Sequence, residues 1–317
     1  MEIIHNNSNS TEQENIVWHY TSIDKACNIL KGGNMHATYY GCFDDPKDVK
    51  YGFEIAQKIL RDNNHKDPMY DDFLQICQSI IEHNFINLWY VISFTRNRDS
   101  SEHWEKFTDN VTGGCALGFE KDKLEDLLGC SECQDKLKVL SKLSECQGNN
   151  LHIYPPIECI YSKEEIKLKL SEIIQKYHNE LPEIKPFRNI LGAGNPFDPY
   201  TGAYSACFRA ELARIALGAK RKSYIKEKEL RLVFEGDDGH KPTSDNGNPK
   251  KHIVCRFNPD ALSAIKWIMI APHGNIQENR DKIEAILKQN LGYNFKVLNS
   301  KPQLDNSSTK KKHIRTS

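Results

Sequence analysis

Two carboxylates stand two residues apart in the stretch Tyr224-Ile225-Lys226-Glu227-Lys228-Glu229-Leu230-Arg231-Leu232-Val233-Phe234. The stretch opens with charge and closes as an apolar run. Leu230, Leu232 and Phe234 alternate with Arg231 and Val233, the period of a β-strand. In an extended chain Glu227 and Glu229 point to one side, and confining them together raises the proton affinity of one. Such a pair predicts a place where water or a ligand compensates the charge. The plainer alternative is a solvated strand end, with Lys226, Lys228 and Arg231 neutralising the acids.

Two further polar groups close or interrupt apolar strands. His19-Tyr20-Thr21 ends the run that starts at Ile16, and Ser93-Phe94-Thr95 ends the run from Leu88, with Trp104 shortly after. Polar groups at strand ends commonly line a cleft. Each residue also has an ordinary reading. His19 suits a satisfied core histidine, Trp104 suits packing, Ser93 and Thr95 are common strand residues, and Asp45 before Pro46 suits a helix cap.

Taken in order, these segments resemble the ADP-ribosyltransferase superfamily. Trp18-His19-Tyr20-Thr21, followed by a helix and Gly32-Gly33, is similar to its opening His-x-Thr motif. Ser93-Phe94-Thr95 resembles its Ser-Thr-Ser-like central strand, and Glu227-Lys228-Glu229 its Glu-x-Glu motif. The match departs from the family in the central Phe94 and in pairing a His, rather than an Arg, with Glu-x-Glu. A second resemblance covers most of the chain. Phe43-Asp44-Asp45-Pro46, the Ser93-Phe94 strand, Trp104-x-x-Phe107, Gly114 to Phe119 and Glu227 to Arg231 are similar to a bacterial domain family of unknown function.

The transferase resemblance implies an intracellular enzyme that uses NAD as substrate, a bacterial toxin or defence effector in type. Cleaving the nicotinamide–ribose bond passes through an oxocarbenium-like state that a carboxylate stabilises. The resemblance puts Glu229 there and gives Glu227 the placing or activation of the acceptor. It implies that His19 holds the ribose and Thr21 the adenosine half. Tyr20, Phe94 and Trp104 are candidates to stack on the nicotinamide ring. The acceptor is a nucleic acid, a protein side chain or water, and an antitoxin protein is a further expected partner. The alternative is a non-catalytic nucleotide- or protein-binding module on the same fold.

The elements that must position these groups alternate irregularly. Strands are predicted over Ile16–Thr21, Met35–Tyr40, Leu88–Thr95, Gly113–Phe119, Cys159–Tyr161, Leu230–Phe234, Ile253–Phe257, Ile265–Ile270 and Phe295–Leu298. Helices are predicted over Ile23–Lys31 with Ser22 as cap, Val49–Arg61, Asp71–His83, Lys163–Leu181, Ala203–Leu217 and Glu278–Gln289. A short turn of helix is expected at Trp104–Phe107. Pro182 to Pro199 and Gly236 to Lys251 read as loops. Helices cluster in the first two-thirds, which predicts an α+β fold, ADP-ribosyltransferase-like, with a mixed and mostly antiparallel sheet.

The expected organisation is a disordered 1–15, one domain over 16–300 with a helical insertion at 121–200, and a basic disordered tail at 301–317. The chain has 317 residues, with 43 basic and 43 acidic side chains, so global charge names no polyanionic partner. The tail, with Lys310, Lys311, Lys312 and Arg315, leans toward nucleic acid. No run nears the ~20 apolar residues of a membrane helix, and residues 1–13 lack the apolar core of a secretion signal. A cytoplasmic protein is expected. Of ten cysteines, Cys27, Cys77, Cys115, Cys159, Cys207 and Cys255 read as small buried hydrophobes. Cys130 and Cys133 are the only close cysteine pair, and with Cys146 and His152 or Cys159 downstream they are candidates for zinc in a metal-stabilised interaction protein, but no metal is expected. The chain lacks a Gly-x-Gly-x-x-Gly fingerprint, a Walker loop and a Gly-x-Ser-x-Gly elbow.

Overall fold

In chain order the elements are β1 (Ile16–Ser22), α1 (Ile23–Gly32), β2 (Asn34–Tyr39), α2 (Pro46–Asp62), β3 (Leu88–Thr95), α3 (Ser101–Phe107), β4 (Gly114–Glu120), β5 (Leu151–Ile153), β6 (Ile157–Glu158), α4 (Lys163–Ile190), α5 (Pro199–Gly218), β7 (Glu229–Gly236), β8 (His252–Arg256), β9 (Ile265–Ile270), α6 (Ile276–Gln289) and β10 (Lys296–Asn299). The structure is a computed structural model. It describes residues 15–43, 46–62, 71, 74–75, 77–78, 81–82, 88–109, 111–124, 151–190, 199–236, 252–256, 259–289 and 295–301. Outside them lie the Asp44-Asp45 turn, Cys130, Cys133 and Cys146, the Gly192 to Asn195 loop, most of the loop after Gly236, and the basic tail. The fold is α+β with a mixed, mostly antiparallel sheet.

Two units divide the chain. The first takes Met1–Asn34, Thr95–Leu127 and Asn258–Ser317; the second takes Met35–Phe94 and Leu128–Phe257. In the first, β1 lies antiparallel to β4 from Ile16 opposite Glu120 to Ser22 opposite Gly114. β4 lies antiparallel to β9, and β9 runs parallel to β10 through the crossover helix α6. Alternation puts Trp18, Tyr20, Ala116 and Met269 on one face, where they cluster with Trp104 and Ala271. Gly118 permits this packing, because a Cβ there meets the Trp18 ring and Trp267 Cβ, both at 3.0 Å. α1 and α6 pack together against β4 and β9. α1 stops at Gly33, whose φ of 62° is the left-handed conformation open to glycine and whose N–H donates to Ile29 O. Ser22 precedes α1 as expected, but its side chain makes no capping bond.

In the second unit β2 and β3 pair antiparallel, Thr38 opposite Val91 and Tyr39 opposite Tyr90. β7 lies beside β3 and is itself flanked by antiparallel β5 and β6, while β8 lies beside β2. α2, α4 and α5 pack on one another. Gly52 of α2 sits so near α5 that a Cβ would fall 2.0 Å from Ala216 O. Leu230 to Phe234 are all buried, so β7 is covered on both faces rather than on one. Among the six cysteines expected inside, Cys77, Cys115 and Cys255 are buried, Cys27 and Cys159 half-buried, and Cys207 exposed. Among the described residues no helix is long and apolar enough to cross a membrane.

Candidate functional site

The carboxylate pair does not sit in one strand. Lys222–Glu227 forms a 3-10 turn, Lys228 takes the left-handed conformation at φ 42°, and β7 begins only at Glu229. In a 3-10 turn residues three apart eclipse one another. Arg221, Tyr224 and Glu227 therefore form one edge, half-buried to buried, while Lys222 and Ile225 form a second and Ser223 and Lys226 a third, both exposed. The inward edge delivers Glu227 to the interior. The left-handed step at Lys228 then turns the chain so that Glu229 also enters it.

Lys220 joins the two acids. Its Nζ donates to Glu227 Oε2 at 2.5 Å and to Glu229 Oε2 at 2.6 Å. Arg231 reaches back along β7 to grip Glu229 side-on, Nε to Oε1 at 3.1 Å and Nη2 to Oε2 at 3.2 Å. Its Nη1 donates to Leu217 O at 2.7 Å, tying the fork to the end of α5. Ser93 of β3 donates to Glu229 Oε1 at 2.5 Å. The Cys159 thiol lies 3.8 Å from Glu229 Oε2, and the Glu229 backbone N–H donates to Tyr161 Oη at 2.7 Å. The side chains are enclosed: Lys220 is 4 %, Glu229 8 % and Arg231 1 % exposed.

Four charges meet here and cancel. Burial alone pushes the Glu229 pKa up, but Arg231 and then Lys220 outweigh it and bring it down from 4.5 to about 2. The expected rise in proton affinity is thus reversed for Glu229, because two buried cations, Arg231 and Lys220, outweigh the repulsion of the second acid. Burial pushes the Tyr161 phenol above the usual tyrosine range. Of the three cations expected to neutralise the acids at a solvated strand end, Arg231 pairs with Glu229, but buried rather than solvated, whereas Lys226 and Lys228 are exposed.

The remaining candidates divide between the units. Phe94 belongs with Ser93 and Glu229 in the second and is buried in the core. His19, Tyr20, Thr21 and Trp104 belong to the first. His19 is half-buried on β1 opposite Leu117, and Thr21 is buried opposite Cys115. Tyr20 donates to Asn97 O and accepts from the Ser100 N–H, both at 3.0 Å, and its ring meets Trp104 edge-on at 4.5 Å. Trp104, 1 % exposed, donates from Nε1 to Asp99 Oδ1 at 2.8 Å. Asp99, held at φ 57°, also accepts from the Ser300 hydroxyl and the Lys301 N–H. The Tyr20 and Trp104 rings are core rings of their unit.

Among the described residues no group of three His, Cys, Asp or Glu side chains is placed to hold a metal ion. Lys220 escaped the sequence reading, since it sits in Ala219-Lys220-Arg221-Lys222, a run that reads as solvated charge. One signal pointed to it: five cations and two acids lie interspersed from Lys220 to Glu229, so an acid that turns inward has a cation at hand to follow it. Arg231 at a core position of β7 was the clearer sign, because a buried guanidinium requires a carboxylate. Comparison of the chain with models of known protein families, with curated proteins and with solved structures found no match.

Proposed function

We propose that the protein is an NAD-dependent ADP-ribosyltransferase with Glu229 as its charge-stabilising carboxylate. The observation that carries the reading is the 2.5 Å bond from Ser93 to Glu229. It joins through one proton the two strand motifs that the superfamily resemblance assigns to one site. Glu229 stays ionised at neutral pH, as the chemistry requires. In that chemistry the C1′–N bond of NAD breaks with its electron pair going to the nicotinamide nitrogen. Positive charge then develops on the ribose, and an anion beside it lowers the barrier. The acceptor bonds to C1′ and loses its proton; Glu227 is the group the resemblance gives for placing it. The NAD-holding roles of His19, Tyr20, Thr21, Phe94 and Trp104, and the effector role with its antitoxin, rest on the resemblance alone.

A second reading has its own observation. Glu229 is nearly enclosed, and Lys220, Arg231 and Ser93 occupy both its oxygens. A neutral buried quartet also serves as a lock in a binding module without catalysis.

Labelled NAD incubated with cell extract separates the two. The transferase releases nicotinamide or labels an acceptor, and Glu229→Gln lowers that rate by about a hundredfold or more. Turnover unchanged in Glu229→Gln removes Glu229 from the chemistry. Absence of turnover with every extract fraction, together with retained nucleotide binding, establishes the module.

A further inference from the structure

Cys159-Ile160-Tyr161 lies between the two segments of chain that deliver the site's charges. On one side the Ile160 N–H donates to Gly218 O at 2.8 Å, and Ile160 O accepts from the Lys220 N–H at 2.9 Å. On the other, the Cys159 N–H donates to Glu229 O at 3.0 Å. All three are backbone bonds. The Glu229 N–H is held differently, by a side chain, the Tyr161 hydroxyl at 2.7 Å.

That N–H belongs to the peptide after Lys228, whose φ of 42° is a costly conformation for a residue with a Cβ. The bond before it, from the Lys228 N–H to Ile225 O, is long at 3.4 Å. The Tyr161 contact thus fixes the N–H side of the Lys228–Glu229 peptide, and the plane of that peptide sets the direction in which the Glu229 side chain leaves the strand. Tyr161 is itself firmly placed. The next residue, Ser162, accepts from the Glu165 N–H at 3.2 Å and so caps α4, whose Ile166 is buried. The phenol is half-buried, and burial keeps it protonated, so it adds no charge to the quartet.

We propose that Tyr161 is a positioning residue of the site: by holding the Glu229 N–H, its hydroxyl keeps the Glu229 carboxylate between Arg231 and Lys220. The effect on turnover rests on the transferase reading; the effect on the carboxylate rests on the geometry.

The test uses the full chain. Tyr161→Phe keeps the ring and deletes the acceptor. Tyr177→Phe is the control, since it also removes a phenol bond from the second unit, Tyr177 Oη to Glu211 Oε1 at 3.1 Å between α4 and α5. The Glu229 carboxyl is followed by 13C NMR of labelled glutamate, assigned by its loss in Glu229→Gln, from about pH 6 down to about pH 3. The groups that face it, Lys220, Arg231, Ser93 and Cys159, with Glu227 across Lys220, are the same in both Phe variants. In wild type and Tyr177→Phe it stays ionised. In Tyr161→Phe it loosens from its two cations while still buried, so its midpoint rises by about one unit or more. The rate of nicotinamide release from saturating NAD then falls by about ten- to a hundredfold while KM holds. A midpoint that stays put in Tyr161→Phe, or moves as far in Tyr177→Phe, overturns the positioning role. If Tyr161→Phe does not fold, hydrogen exchange of the wild-type Glu229 amide decides: protection sustains the role, and exchange at the rate of a free peptide overturns it. A moved midpoint in a protein that never turns over NAD rejects the transferase alone. Turnover that requires Glu229 yet keeps its full rate in Tyr161→Phe rejects the positioning role alone.

Discussion

Replacing Lys220 with methionine keeps most of the side chain's volume and removes the charge between two carboxylates. At an effective dielectric of about 20, each of its contacts at 2.5 and 2.6 Å corresponds to roughly 6 kcal/mol before desolvation is subtracted. Lysine's own desolvation cost disappears with it, which offsets much of that sum. What remains is the cost of a buried anion in excess, about 3–5 kcal/mol when one partner of a buried pair is removed. The variant can relieve the excess by taking up a proton, since two acids beside one Arg231 raise one another's proton affinity. Its deficit is therefore full near about pH 8 and shrinks toward about pH 5, where protonation stabilises the variant relative to wild type. Urea unfolding followed by tryptophan fluorescence at both pH values measures the deficit. Adding Glu227→Gln restores neutrality around Glu229 and Arg231 and recovers at least about 1 kcal/mol, read as a double-mutant coupling. A single-variant loss below about 1 kcal/mol that is the same at both pH values refutes the charge-balance argument.

Three further outcomes are expected. The fall in Glu229 pKa from 4.5 to about 2 corresponds to about 3 kcal/mol of folding stability, present in full above about pH 4.5 and lost as pH falls toward 2. Acid titration of wild type beside Glu229→Gln shows the gap closing in that window and no other. Gly52→Ala, which would stabilise an exposed helix by about 1 kcal/mol, destabilises here by about 1–3 kcal/mol because Ala216 O leaves no room. Chemical denaturation gives the sign directly. Trp104→Ala empties the cluster on β1 and costs about 3–5 kcal/mol, and Trp104→Phe costs less because only the bond to Asp99 and one ring edge go; their melting temperatures should rank in that order.

The strands were legible where composition left no choice. Leu88 to Thr95 has no helix-favouring run and became β3 over the predicted span, and Ile265 to Ile270 did the same as β9. Gly32-Gly33 stopped α1 as expected, because only glycine takes the left-handed cap cheaply. Prolines misled the reading at Pro182. α4 continues to Ile190, since elongating an already formed and packed helix forfeits one bond rather than requiring a new nucleus. The strand predicted at Cys159 lies two residues earlier, at Ile157, and leaves only an isolated bridge at Ile160. β5 was missed, for three residues carry no period. In the site, Ser93, Glu227 and Glu229 were visible as types and spacing. Their convergence was not, since it depends on a 3-10 turn, a left-handed Lys228 and a lysine that local sequence marks as solvent-facing.

The interleaving of the two units has a bearing on how the ribosome must deliver this chain. All of the second unit has been synthesised by Phe257, whereas β4 of the first still lacks the neighbour it will find in β9. Throughout that interval one rim of β4, carrying Cys115, Leu117 and Phe119, offers unpaired peptide groups and apolar side chains to whatever is nearby. A nascent polypeptide in that state stays adhesive until Ile270 has been made, so translation that stalls or stops between Phe257 and Ile270 favours clumping over native assembly.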